Sequence, residues 1–339
     1  MQDAYLAWEQ RFHTEPRRGG ERTAKVFSLY LEVRPGVCRW GPPHPNSIPH
    51  ARTNAVRRDA PRPLRDAAGP RGAEEPVIRT LLAPNPSPMT LDGTRTFIVG
   101  RVVIDPGPDD AAHLDAIERV LDGVAPLAIL LTHAHSDHSA AALALARRTG
   151  APVMISRGAL HSPLRDADVA RWLADGDEVE AEGGTLRAIA TPGHAPEHLA
   201  FLWNDDTLFA GDAFMGGSDT TLVAPPEGDL AAYMRMLDRV GELAPSVILP
   251  AHGPLIEDPA AAVERYRAHR LERIEQVVRA LRASGPARPA EILDAVYGAA
   301  LHPGLRIAAE GSLHAILAYL RAADRVRELP DDTYTLTER

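Results

Sequence analysis

The stretch Leu130–Ala140, LLTHAHSDHSA, places three histidines and an aspartate within six residues, directly after an apolar run. Imidazole and carboxylate suit a divalent zinc ion, which is usually held by four N, O or S atoms at about 2 Å. On an extended loop leaving a strand, His133 and His135 would point the same way, leaving Asp137 and His138 free to turn toward a second ion. A pair of ions about 3.5–4 Å apart needs further ligands and a bridging group. His194 in TPGH, Asp212 in LFAGD and His252 in LPAHG each follow an apolar run and sit beside a glycine that permits a tight turn. A lone histidine is a weak signal, because most histidines are surface or satisfied core residues. The cluster His-x-His-x-Asp-His together with three more groups at strand ends is a strong one.

These residues need a scaffold that brings separate strand ends together. From Pro76 onward, runs such as VIRTLL, TFIVG, VVIDPG, LAILLTH, APVMIS, LRAIATPGH, LAFLW, TLFAGD and SVILPAHG predict short strands. Helices are predicted between them over 109–122, 139–149 and 229–243, which makes residues 76–264 an α/β domain. After residue 264, a long amphipathic helix, two further helices and a β-like tail form the pattern of a winged-helix module over 265–339. Residues 1–75 are rich in Pro, Arg and Gly and predict a largely disordered or loosely packed extension, with a short helix around Tyr5, Trp8 and Phe12.

Composition narrows the chemistry. The chain has 339 residues, 45% of them hydrophobic, and a formal net charge of −9. The first 75 residues are near +4 and the remainder near −13, which gives no support to a generally nucleic-acid-coating surface but leaves room for a local basic groove. A single cysteine, Cys38, excludes an internal disulfide framework and a Cys-rich zinc knuckle, so metal binding must rest on His and carboxylate. No apolar run is long enough to span a membrane, and the N-terminus lacks the apolar core of a secretory signal, so a cytoplasmic protein with no membrane partner is expected. Oligomeric state is not legible.

In this order and spacing the residues resemble the metallo-β-lactamase superfamily, whose HxHxDH motif stands here as His133, His135, Asp137 and His138. The strings NPSPMTLDGTRTF, IDPG, TPGHAPEHLAF and GPLIEDPAAAVERYRAHRLERIEQ are similar to the lactamase-beta-like protein 2 group within it. Arg95 departs from the Asn frequent at that place. The resemblance implies a four-layer αββα sandwich with a C-terminal winged-helix domain and two Zn2+ per chain. His133, His135, His194 and Asp212 would hold one ion, and Asp137, His138, His252 and the shared Asp212 the other. Asp137 would also act catalytically, orienting a metal-bridging hydroxide and collecting a proton. His198 and Asp105 are expected to support the site or touch substrate, and Ser218 and Thr220 to line the cleft. His113, His161, His269, His302 and His314 are expected to be non-ligands.

Three substrate classes follow. The related group includes an endoribonuclease, which points to phosphodiester hydrolysis in single-stranded RNA. Ester or thioester hydrolysis of the glyoxalase II type would use the same seven ligands on a small-molecule substrate. β-Lactam hydrolysis is disfavoured by Asp212, a bridging carboxylate that true lactamases lack. A non-enzyme alternative, a winged-helix nucleic-acid-binding regulator with a vestigial metal site, would show gaps among the ligands, and none is missing.

Overall fold

A computed structural model describes residues 78–337 apart from 161, 163, 218, 219, 299, 300 and 302. The expected N-terminal extension with its short helix, and Cys38, Ser218, His161 and His302, lie outside the described residues.

The apolar runs form two sheets. β1 (Ile78–Leu82), β2 (Arg95–Val99), β3 (Val102–Ile104), β4 (Ala128–Leu130), β5 (Val153–Ser156) and β6 (Arg171–Leu173) make a six-stranded sheet in sequence order. It is antiparallel through β3 and parallel beyond. β7 (Glu178–Ala181), β8 (Gly184–Ala190), β9 (Leu199–Trp203), β10 (Thr207–Gly211) and β11 (Val247–Pro250) form a five-stranded sheet in the order β11-β10-β9-β8-β7. Strands β3, β4, β9 and β10 are buried at every position, as expected where both faces of a strand are covered.

Alternation along the strands sorts their side chains into layers. Phe97, Val99, Ile104 and Leu130 meet Leu186, Phe201 and Phe209 between the two sheets. On the outer face of the first sheet, Ile98, Val103 and Ile129 pack on α1 (Ala111–Val120), which supplies Leu114 and Ile117, and on α3 (Ala142–Thr149), which supplies Leu145. A single turn, α2 (Ser136–Ser139), precedes α3. On the outer face of the second sheet, Ile189, Leu208 and Ile248 pack on α4 (Leu230–Leu243) and α5 (Pro259–Ser284). The expected helix–sheet–sheet–helix layering of the catalytic region is thus present, while strands β6 and β7 were not anticipated.

This topology puts the chemistry at one edge. Parallel pairing aligns the C-terminal ends of β3 and β4 and of β10 and β11. Strand β8 is antiparallel to β9, which is antiparallel to β10, so β8 ends at the same edge as β10. Asp105, His133, His194, Asp212 and His252 all follow those ends. The turn after β8 needs glycine: Gly193 has φ +140°, and a Cβ there would lie 2.5 Å from the Tyr233 Cα on α4.

Beyond β11, α5 is followed by α6 (Pro289–Tyr297), α7 (Pro303–Ala322) and a hairpin of β12 (Val326–Glu328) and β13 (Tyr334–Leu336), with a bridge joining Ala287 to Tyr334. Helix α5 runs unbroken through residues 264 and 265, where the sequence suggests a domain boundary. Val277, Leu313, Leu317 and Val326 share one apolar cluster with Leu208 and Ile248 of the second sheet. Among the described residues, no helix is long and apolar enough to cross a membrane.

Candidate metal centre

The His-rich stretch is extended only as far as His135. Ser136–Ser139 then forms one helical turn, with the His138 N–H donating to the His135 carbonyl (3.0 Å) and the Ser139 hydroxyl to the Ala134 carbonyl (2.8 Å). The turn, rather than a continuing loop, is what swings Asp137 and His138 away from His133 and His135. Two groups result. His133, His135, His194 and Asp212 form the first, and Asp137, His138 and His252 the second; within each, one donor atom per residue lies within 4.8 Å of the others. His133, His138 and His252 are almost fully buried, and the side chains of Asp137 and Asp212 are each 13% exposed.

Asp212 faces both groups. Its Oδ1 lies 3.3 Å from His138 Nε2 and 3.1 Å from His252 Nε2, and its Oδ2 lies 3.4 Å from His194 Nε2. Asp137 Oδ2 lies 3.4 Å from His138 Nε2 and 3.3 Å from His252 Nε2, and accepts from the Thr94 hydroxyl at 3.3 Å.

The surrounding hydrogen bonds decide which nitrogen of each ring is bare. His135 Nε2 meets the Glu227 carboxylate at 2.6 Å, so Nε2 carries the proton. His194 Nδ1 donates to the Leu222 carbonyl (2.8 Å), and His252 Nδ1 donates to the Gly93 carbonyl (3.1 Å). Asp105 Oδ2 accepts from the Thr132 hydroxyl (2.7 Å) and from His138 Nδ1 (2.9 Å), while the Thr132 backbone N–H reaches Oδ1 (2.8 Å). With its hydroxyl donating to Asp105, the Thr132 oxygen accepts from His133 Nδ1 at 3.0 Å. One carboxylate therefore orients two rings.

In each neutral ring the remaining nitrogen presents only a lone pair to the cluster. His135 Nδ1 lies 2.8 Å from His133 Nε2 and 3.0 Å from His194 Nε2. Lone pairs at that separation repel unless a cation lies among them. In the second group the buried His138 Nε2, His252 Nε2 and Asp212 Oδ1 make no hydrogen bond. Buried polar atoms are rarely left unpaired, and these point at one another with the donor types a divalent metal takes. The residues fit a pair of metal ions.

Protonation without metal follows the same geometry. Burial holds His133 and His198 well below the ordinary imidazole value and His194 down at about 4, with neighbouring histidines adding to the effect. Burial also works against charge on His135, His138 and His252. At His135 the Glu227 carboxylate overcomes it, at His138 Asp137, Asp212 and Asp105 do, and at His252 Asp212 and Asp137 push the pKa up to about 10. Burial raises the Asp137 and Asp212 carboxyls, yet His138 and His252 hold both below the usual range. Protons and metal ions would thus compete for the same nitrogen atoms.

Of the residues expected to assist, Asp105 orients His133 and His138 as described. His198 is buried, and its Nε2 accepts from the Asp212 N–H (3.1 Å) while Nδ1 meets Thr191 Oγ1 (2.7 Å). It therefore fixes the Asp212 backbone and has no ring nitrogen left for substrate. Thr220 is half-buried and, among the described residues, makes no hydrogen bond to the clustered side chains. His113 bonds Thr96 Oγ1 (2.8 Å) away from the cluster, and neither His269 nor His314 belongs to either group.

Glu227 and the Gly93 and Leu222 carbonyls were not foreseen. Each reaches its histidine across the fold, and no local spacing marks it. Buried Glu197, whose Oε1 accepts from the Ala134 N–H at 3.1 Å, is a further unforeseen brace of the His-rich stretch. Replacing Glu227 by Gln is expected to weaken divalent-ion binding about tenfold, the usual cost of losing a carboxylate behind a ligating histidine. Chelator competition on the purified variant measures this.

Comparisons with known proteins agree with the geometry. The metallo-beta-lactamase superfamily profile matches residues 91–252. The chain is 34% identical over 217 residues to the beta-lactamase-like protein 2 homolog of Drosophila melanogaster, covering 57% of this chain and 70% of that protein. It is 35% identical over 203 residues to the lactamase-like protein adaB of Aspergillus niger, covering 58% of this chain and 61% of that one. The match thus spans about three-fifths of the fungal relative. A beta-lactamase domain protein from Burkholderia ambifaria has the same fold, with TM-score 0.65 and 24% identity over 77% of this chain and 91% of that one. A metallo-beta-lactamase family protein from Thermus thermophilus superposes with TM-score 0.62 and 23% identity, covering 76% and 98%.

Proposed function

This chain belongs to the metallo-beta-lactamase superfamily, and from that membership we propose that it is a hydrolase requiring two divalent metal ions, zinc in the cell, that cleaves phosphodiester bonds in single-stranded RNA. The observation that carries the hydrolase reading is the orientation of five imidazoles and two carboxylates. Every ring spends its outward N–H on a protein acceptor and aims its bare nitrogen inward, and Asp212 turns one oxygen to each group. A metal pair, when bound, supplies Lewis acidity that lowers the pKa of water toward about 7 and polarises the bond under attack.

The chain's own residues do the rest. The first group would be held by His133, His135, His194 and Asp212, and the second by Asp137, His138, His252 and the other Asp212 oxygen. Asp137 would orient the attacking water and take its proton; in support, its side chain is 13% exposed and the Thr94 hydroxyl donates to its carboxylate. Asp105, Glu227 and His198 fix geometry without touching substrate.

For the RNA reading the support is the order α5, α6, α7 and hairpin, which fits a winged-helix module over 265–339 appended to the catalytic region 76–264. A specific observation favours ester or thioester hydrolysis as the second reading. In that region Arg306 pairs with Asp294, Arg321 with Glu328 and Arg325 with Glu275, which reduces the positive charge available to phosphates. The single cysteine fits a cytoplasmic setting.

A side-by-side assay with single-stranded RNA, bis-p-nitrophenyl phosphate, S-lactoylglutathione and nitrocefin decides between them. Turnover of RNA and the phosphodiester is expected. Turnover of the thioester alone would replace the first substrate class by the second.

A further inference from the structure

The chain from Ala213 to Glu227, described except at 218 and 219, touches the first group at three points. It begins beside Asp212, its Leu222 carbonyl holds His194 Nδ1 at 2.8 Å, and it ends at Glu227, which holds His135 Nε2 at 2.6 Å. Two of the four residues in that group, His194 and His135, are therefore held by one stretch whose described residues are neither helix nor strand. Such a stretch keeps an orientation only if something rigid holds it, since loop backbone is otherwise the most mobile part of a fold.

The holding elements lie behind it, on α4, α5 and α7. Tyr233 Oη donates to the Ala213 carbonyl (2.7 Å), and Tyr266 Oη both accepts from the Met215 N–H (2.6 Å) and donates to its carbonyl (3.0 Å). Gly311 on α7 faces Ala224 so closely that a Cβ there would lie 2.7 Å from the Ala224 Cβ. Next to Leu222, Arg270 on α5 donates from Nη2 to the Thr221 carbonyl.

Arg270 is unusual. It is 7% exposed, its guanidinium lies 5.0 Å from the centre of the Tyr233 ring, its Nε makes no hydrogen bond, and among the described residues it has no carboxylate partner. Burying a cation without a counter-charge is costly, and an apolar side chain of the same size would fill the space at lower cost. Thr221, whose carbonyl accepts that hydrogen bond, is the neighbour of the residue that sets the His194 tautomer.

We propose that Arg270 is a positioning residue for the first metal group, acting through the Thr221–Leu222 backbone to keep His194 with its Nδ1 protonated and its Nε2 bare. The proposal rests on the metal-hydrolase reading for its consequence but not for its geometry. It assigns the helical C-terminal region a part in building the site, separate from any contact with substrate.

The test uses full-length protein and two variants. Arg270→Met keeps the aliphatic stem and removes the donors; Arg270→Lys keeps a cation and a point donor. Chelator competition with Zn2+ is expected to show one of two ions held about tenfold more weakly in Arg270→Met, the other unchanged, and a smaller loss in Arg270→Lys. Nitrogen-15 spectra of histidine-labelled, metal-free protein are expected to show His194 as the Nδ1–H tautomer in the wild type and as a mixture in Arg270→Met. If Arg270→Met does not fold, Arg270→Lys carries both readouts. Equal weakening of both ions with an unchanged tautomer would reduce Arg270 to a packing residue and overturn the proposal, as would wild-type values throughout. A wild-type protein that binds no Zn2+ would defeat the hydrolase reading instead, and the tautomer spectra would then judge the positioning role alone.

Discussion

Replacing Asp212 by alanine is expected to lower hydrolysis about a thousandfold or more while leaving the protein folded. Among the described residues, its two oxygens are the only carboxylate atoms that face both histidine groups, one 3.1 Å from His252 Nε2 and the other 3.4 Å from His194 Nε2. Without them the first group keeps three neutral donors and no anion, and the second keeps only Asp137 as its anion. Losing several kcal/mol of charge stabilisation, of the order one metal ion supplies, corresponds to about three powers of ten in rate. The fold is expected to persist although the charge pairing with His138 and His252 is lost, because the Asp212 backbone N–H is held by His198 and the following Ala213 carbonyl by Tyr233. Rate constants on bis-p-nitrophenyl phosphate, metal content and a far-UV spectrum check this together. A variant within tenfold of wild type with two ions still bound would show that Asp212 bridges nothing.

The second large effect is on the metal-free protein as pH changes. His252 is held at about 10 and His138 well above its ordinary value, while both titrate near 6.5 when unfolded. Between those limits the native state binds more protons than the unfolded state, so stability falls as pH rises. The contribution of both is complete below pH 6.5; that of His252 is lost as pH passes through about 10, and that of His138 as pH passes through its raised value. His194, held at about 4, works in the opposite sense, because the unfolded chain takes up its proton first as pH drops from 6.5. Asp137 and Asp212, held below the usual carboxylate range, contribute above pH 3.8 and lose that contribution only as pH falls through their lowered values. The metal-free protein should therefore melt highest near pH 6.5 and roughly 5 °C lower at pH 9.5. Metal binding must expel the same protons, so affinity rises over the interval in which metal-free stability falls. At pH 7.5, loading should release about two protons per chain, from His138 and His252. Calorimetry in buffers of different ionisation enthalpy measures the number, and a value near zero would mean that these rings are neutral before metal arrives.

How far the sequence reveals this site depends on where each residue's partner lies. The seven clustered side chains were legible because each sits just past an apolar strand or inside one short motif, and parallel pairing brings those strand ends to one edge. Asp105 was legible for the same reason. Glu227 was not, since it meets His135 from 92 residues away, and backbone carbonyls such as those of Gly93 and Leu222 have no residue type to read. Strand β6 was missed because three residues carry no period, and β7 because its EVEA reads as polar edge surface. The domain division at 264/265 follows a change in sequence texture, whereas packing carries α5 across it: Ala262 and Val263 lie on one side, Tyr266 and Ile274 on the other, and all belong to the same buried cluster.

The most direct measurement is anomalous diffraction at the zinc edge from crystals of protein purified without chelator. The account predicts two peaks per chain, about 3.5–4 Å apart, one among His133, His135 and His194 and the other among Asp137, His138 and His252, with Asp212 between them. Crystals with no anomalous peak within that ring of side chains, from protein that still hydrolyses its substrate, would contradict it.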